Sequence, residues 1–139
     1  MSLPEPPGGG AAVALVVVSH SAQLAAGVVE LASQMAKDVE LRAAGGTDDG
    51  RIGTSFDKVN DAVNELRAAG YDVAVLTDLG SATMTVESVV DLLDADEAAH
   101  VRFADGPLVE GAVSAAVTAQ VGGDLDAVVG AARARELFT

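Results

Sequence analysis

Cysteine and tryptophan are absent from this 139-residue chain. Without a thiol there is no disulfide, thiolate metal site, cysteine nucleophile or CxxC redox chemistry. Three Phe and one Tyr bring the aromatic content to 3%. The chain thus lacks a stacking platform for bases or sugars, and its core has to be built from Ala, Val and Leu. Basic residues are also scarce. Eight Lys and Arg against 21 Asp and Glu leave a formal charge of −13, which repels polyanions at long range and sets nucleic acids aside as partners. The longest apolar run, Ala11 to Val18, is far shorter than the roughly 20 residues of a membrane-spanning helix. A soluble, cytoplasmic protein with no membrane partner is expected. Histidine occurs twice, as His20 and His100, so an imidazole-centred mechanism has few candidates.

Met1 to Ala12 reads as a flexible Pro/Gly-rich tail without the basic start of a signal peptide. Residues 13–139 read as one domain, with enough chain for a real core. Val13 to Val18 is a continuous, largely β-branched run, as expected of a strand buried on both faces. Leu24, Val28, Leu31 and Met35 then recur at helical spacing, with Ser21 as cap. A second strand is predicted over Asp38 to Ala43, ending at Gly45-Gly46. Phe56, Val59, Val63 and Leu66 predict a helix capped by Thr54 or Ser55 and stopped by Gly70. Tyr71 to Thr77 reads as a third strand and Ser81 to Leu93 as a helix through Met84, Val89, Val90 and Leu93. A weaker strand follows near Ala99 to Ala104, then helices over Val109 to Gln120 and Leu125 to Arg135, the latter capped by Asp124. Alternating strands and helices predict an α/β fold, a predominantly parallel sheet of about four strands with helices on both faces. An apolar fraction of 50% leaves surplus for contact with a second copy.

Ligands of an open parallel sheet bind beyond the C-terminal strand ends. Those ends carry Ser19-His20-Ser21, then Gly45-Gly46-Thr47-Asp48-Asp49, then Asp78-Leu79-Gly80-Ser81, and last Asp105-Gly106-Pro107. A neutral imidazole at His20 can act as nucleophile or base near pH 7, and the helix N-terminus beside it offers N–H groups to a phosphoryl group. The plainer alternative is a histidine bonded to a loop carbonyl. His100 reads as a structural residue. Asp78 either orients one ring nitrogen of His20, leaving the other as nucleophile, or caps the next helix. Gly80 and Ser81 offer N–H and hydroxyl donors, although plain capping by Ser81 is the simpler role. Gly46 and Thr47 form a turn able to hold phosphate. Neither GxxxxGK[ST] nor GxGxxG is present, so direct ATP or NAD binding is not expected. Asp48, Asp49 and Asp78 read as solvated loop charge, and no metal is assigned.

Four segments in order, Val18-Ser19-His20-Ser21, Ala43 to Asp49 with Ile52 to Ser55, Asp78 to Ala82, and Pro107 to Gly111, resemble the mannose-type IIA domains of the phosphotransferase system. The likeness is strongest to the DhaM subunits of dihydroxyacetone kinases. It implies a phosphoryl carrier that takes phosphate from phospho-HPr and delivers it to ADP on the DhaL subunit. ATP re-formed there phosphorylates dihydroxyacetone on DhaK. His20 falls on the phosphorylated histidine, with phosphate on Nε2, and Asp78 on the supporting carboxylate. Ser21, Gly46, Thr47, Gly80 and Ser81 fall in the surrounding phosphate-binding loops. No cofactor is expected on the chain itself, since phosphate comes from phosphoenolpyruvate through enzyme I and HPr. The family forms homodimers. Some members continue into an HPr-like domain, whereas this chain ends at Thr139, so dependence on a separate HPr is expected. A receiver domain lacks support because Ser19-His20-Ser21 stands where its acid pair belongs. Histidine phosphatases need Arg-His-Gly and serine hydrolases GxSxG. The remaining alternative is a small-ligand-binding or regulatory α/β module.

Overall fold

Val13–Ser19 forms the first strand, β1, and all seven of its residues are buried. A parallel strand covered by helices on both faces needs such an uninterrupted apolar run. The computed structural model describes residues 11–133. The expected tail therefore lies outside the described residues up to Gly10, as does the end of the last predicted helix. After β1 come α1 (Ala22–Met35), β2 (Leu41–Gly45), α2 (Phe56–Ala68) and β3 (Asp72–Thr77). They are followed by α3 (Gly80–Asp91), α4 (Ala95–Ala98), β4 (Val101–Phe103), α5 (Leu108–Gln120) and α6 (Leu125–Ala132).

The four strands are all parallel, in the order β2-β1-β3-β4. The two-residue side-chain period of a strand divides the apolar residues between two cores. Val13, Leu15, Val17, Ala74 and Leu76 pack with α1, α5 and α6. Ala14, Val16, Val18, Val73 and Val75 pack with α2 and α3. From β1 the chain crosses to β2 at one edge, returns past β1 to β3, and continues outward to β4. The connections leaving β1 and β3 thus diverge, which opens a crevice at their C-terminal ends.

Ser55 and Asp124 cap α2 and α6, and Gly70 follows α2 with φ 93°. Three expectations need correction. The buried face of α1 is Ala25, Val28 and Ala32, whereas Leu24, Leu31 and Met35 are exposed. The cause is close approach: a Cβ on Gly45 would stand 2.6 Å from the Ser21 carbonyl oxygen and 2.8 Å from Ala25 Cβ. Only small side chains fit between α1 and the sheet at that end, so the helix is rotated by about one residue, near 100°. Met84 is likewise exposed on α3. Finally, β2 begins at Leu41 rather than Asp38, because Asp38 is tied through its N–H and carboxylate to the Gln120 side chain at the end of α5. The short α4, capped by Asp94, has no counterpart in the predicted elements.

Two glycine substitutions should act with opposite signs. Gly45→Ala forces backbone apart and is expected to destabilise the protein by about 1–3 kcal/mol. Gly27 lies in open space on α1, so Gly27→Ala should stabilise it by up to about 1 kcal/mol. Urea unfolding of both variants measures the difference, and equal effects would contradict the tight fit at Gly45.

Candidate active site

Parallel register pairs Val18 of β1 with Thr77 of β3, so the next residues, Ser19-His20 and Asp78, leave the sheet side by side. The Asp78 carboxylate joins the two strand ends. Its Oδ1 accepts from His20 Nδ1 at 2.9 Å and from the Leu79 N–H at 2.8 Å. Its Oδ2 accepts from the Ser19 hydroxyl at 2.8 Å and from the His20 N–H at 3.0 Å. Partial burial raises the carboxyl's pKa, but the hydrogen bonds from His20, Ser19 and Leu79 outweigh it and hold Asp78 below the ordinary aspartate value. Asp78 is therefore an ionised, acceptor-only partner at neutral pH, and Nδ1 must carry the ring proton of a neutral His20. That leaves the Nε2 lone pair free to accept, and Ser81 Oγ lies against it.

Nε2 also faces a helix start. α1 is capped by Ser21, whose Oγ accepts from the Leu24 N–H at 3.1 Å. α3 has Leu79 at its N-cap and no side-chain capping bond. Ser81 is thus a first-turn residue and not the cap, and the positive end of α3 is left open beside His20. The His20 and Asp78 side chains are 18% and 13% exposed. Both are partly buried, and neither is sealed from solvent.

The loop after β2 closes the third side. Its Gly46 N–H donates to the Ser19 carbonyl at 3.1 Å and its Gly53 N–H to the His20 carbonyl at 2.8 Å. Gly46 takes φ 73°, a left-handed conformation that glycine adopts without a Cβ clash. The Thr47 N–H donates to the Arg51 carbonyl, and its hydroxyl bonds the Asp49 carboxylate. The Thr47 bond is the chief cause of a lowered Asp49 pKa. Asp48 accepts from Ser55. Lys58 Nζ donates to the Gly45 and Thr47 carbonyls at 2.9 and 3.0 Å and so fastens the loop from below.

Of the residues singled out in the sequence, His20, Asp78 and Ser81 meet in direct contact, Ser21 and Gly80 flank them, and Gly46 supports the turn from behind. Thr47 is engaged within its own loop. No hydrogen bond joins Asp105, Gly106 or Pro107 to His20 among the described residues, and a Cβ on Gly106 would instead collide with the Ala132 backbone. His100 bonds Asp72 at 2.8 Å, at the opposite end of β3. The sequence reading named Ser19 beside His20 without giving it a role, and missed Lys58. Ser19 was legible as the last strand residue before a histidine. Lys58 had no local signal, since its partners are backbone carbonyls 11 and 13 residues away.

Comparison with known proteins adds a family to this geometry. The family described as PTS system fructose IIA component, of the mannose type, matches residues 14–129. A phosphoryl donor subunit DhaM of the PEP-dependent dihydroxyacetone kinase 1 of Listeria innocua is 39% identical, over 77% of this chain and 82% of its own length. The phosphotransferase subunit DhaM of Lactococcus lactis is 36% identical, over 82% and 88%. The DhaM of Klebsiella michiganensis is 44% identical over 84% of this chain, which spans 25% of that longer relative. A solved structure of a protein of unknown function superposes with a TM-score of 0.81 at 33% identity, covering 88% of this chain and 93% of the other. With His20, Asp78 and all of the sheet except Val13 inside the matched span, the chain belongs to the mannose-type IIA family of the phosphotransferase system, the family of the DhaM subunits to which it is similar.

Proposed function

We propose that the protein is a phosphoryl carrier in which His20 Nε2 accepts phosphate from phosphohistidine on HPr and passes it to ADP bound on a DhaL subunit. ATP re-formed there would phosphorylate dihydroxyacetone held by DhaK. The observation that carries this reading is the unprotonated Nε2 of His20, in contact with the Ser81 hydroxyl and held toward the start of α3 by an ionised Asp78. In the first step the donor's N–P bond breaks as the Nε2–P bond forms. The ring keeps its Nδ1 proton and becomes cationic, and the adjacent carboxylate stabilises that charge. In the second step an ADP phosphate oxygen displaces the imidazole, which leaves with its lone pair restored. Both transfers require in-line approach and donors for the phosphoryl oxygens rather than proton transfer. The Gly80 and Ser81 N–H groups in the first turn of α3 and the Ser81 hydroxyl against Nε2 would serve that task, together with Ser21 next to His20.

This chemistry needs no metal or cofactor on the chain. Mg²⁺ would belong with the nucleotide on the partner, and the phosphate originates from phosphoenolpyruvate through enzyme I and HPr. The relay is cytoplasmic. Among the described residues no helix is long and apolar enough to cross a membrane. The acidic surface suits a donor with an exposed positive patch. Homodimerisation has a physical basis on the α1 and α5 layer. There Leu24, Leu31, Met35, Val117 and Val121 are exposed, and each helix carries one charged residue, Glu30 and Glu110. Two copies of charge −13 repel least where their surfaces are free of charge.

Incubation with phosphoenolpyruvate, enzyme I and HPr should add one acid-labile, base-stable phosphate, seen by intact mass and absent in His20→Gln. No mass gain with a demonstrably active HPr would refute the carrier role.

Asp78→Asn should fold and accept phosphate at least about 10-fold more slowly. Because the folded pKa of Asp78 is depressed, its stabilising contribution is fully present above the unfolded value, about 3.9. It is lost as pH falls through the lowered folded value. Melts of wild type and Asp78→Asn over the acid range should therefore converge at low pH. A constant gap would assign the acid sensitivity to other carboxylates.

Leu31→Glu should shift sedimentation from dimer to monomer while phosphorylation of His20 persists. A dimer unaffected by this change would place the interface elsewhere.

A further inference from the structure

We infer that Ser19 is a positioning residue for phosphoryl transfer: its hydroxyl sets the rotation of the Asp78 carboxylate and thereby which ring nitrogen of His20 keeps the proton. The inference rests on His20 being the carrier. Ser19 has no solvent exposure, so its hydroxyl must be satisfied within the protein. Its two bonds leave no freedom of direction. The Ser21 N–H, 3.0 Å from Ser19 Oγ, can only donate, so Oγ accepts there and its single proton goes to Asp78 Oδ2 at 2.8 Å.

Rotation about the terminal bond of an aspartate is broad, and something must pin the carboxylate plane. Oδ2 is pinned by the Ser19 hydroxyl together with the His20 N–H, and this turns Oδ1 toward Nδ1. Of those two donors, the serine hydroxyl is the one that a side-chain change removes. Without it the carboxylate is held against rotation only by the backbone N–H groups of His20 and Leu79, and it also loses a donor that favours the ionised form. Either change relieves the demand for a proton on Nδ1. The Nε2–H tautomer then becomes accessible, and in that form Nε2 has no lone pair with which to attack phosphorus. Ser19 also ties the Ser21 N–H into the turn, so one buried oxygen aligns both the supporting carboxylate and the start of α1.

The test is the ¹⁵N NMR spectrum of the His20 ring at neutral pH, paired with the rate of phosphate uptake from phospho-HPr. It is run on the wild-type protein, Ser19→Ala, Ser19→Thr and a destabilised control remote from the site, Val63→Ala. Wild type should show a single Nδ1–H tautomer. Ser19→Ala should show a mixture with Nε2–H and uptake slowed by about 10-fold. Ser19→Thr, which keeps the hydroxyl, should restore both readouts, and Val63→Ala should leave the tautomer unchanged. If Ser19→Ala does not fold, Ser19→Cys, a weaker donor, serves for the same comparison. A folded Ser19→Ala protein with a single Nδ1–H tautomer and wild-type uptake overturns the inference. A tautomer shift in Ser19→Ala with no phosphorylation of the wild type would overturn the carrier reading, and with it a role in phosphoryl transfer, while the control of the ring tautomer by Ser19 would stand.

Discussion

One carboxylate organises this molecule's functional edge. Asp78 sits where a charge is partly removed from water, a costly placement unless each lone-pair direction finds a donor. Four donors meet that need: the His20 ring, the His20 N–H, the Ser19 hydroxyl and the Leu79 N–H. Three come from the end of β1 and one from the residue after Asp78 itself. The carboxylate therefore joins neighbouring strand ends at the same time as it orients the ring. Because Leu79 is the N-cap of α3, the bond that fixes its N–H also fixes the entry of that helix. Ser81 reaches Nε2 through this entry. The ring, its orienting acid and the open helix start are one bonded unit.

Strand order explains why that unit stands at β1 and β3 and at no other pair of ends. The chain leaves β1 toward one edge of the sheet and leaves β3 toward the other, so helices do not cover the space between these two ends. β2 lies at the edge, and its loop is drawn inward by the Gly46 and Gly53 N–H bonds to the Ser19 and His20 carbonyls. Lys58 holds that loop through two carbonyls. The loop supports the backbone of the β1–α1 turn, whereas β3 supplies the acid. β4 contributes Val101 to the core, and the loop after it packs under α6.

Much of this was legible in the sequence because strands buried on both faces, serine and aspartate caps and strand-end residues leave local marks. Val13 to Val18, Ser55 and Asp124 are of that kind, and so is the pairing of His20 with Asp78, which requires only that two strand ends be adjacent. The rotation of α1 was not legible. In a helix as apolar as this one, Leu24-Val28-Leu31-Met35 and Ala25-Val28-Ala32 both satisfy helical spacing. The choice is made by Gly45, which lies on another strand and brings the sheet too close for leucine. Capping, the simpler of the two roles read for Ser81, fails for a related reason. Serine before a helix usually caps it, but here Asp78 bonds the N–H of the N-cap Leu79 and α3 starts at Gly80, one residue before Ser81. Spacing records which residues share a face, while close approach between distant segments decides which face is buried.

The same rotation has a consequence for the surface. Turning alanines inward on α1 turns Leu24, Leu31 and Met35 outward, and grouped exposed apolar side chains are the kind of surface that a second molecule can cover. Its setting limits the choice of molecule. α2, on the opposite face of the sheet, carries Asp57, Lys58, Asp61, Glu65 and Arg67, whereas α1 and α5 carry one acidic residue each. A charged partner would find little on α1 and α5 to recognise by charge, but a second copy, repelled by every other acidic surface, would find there the least opposition. The close packing that seats His20 at the start of α1 therefore also leaves an apolar, nearly uncharged face along the rest of that helix.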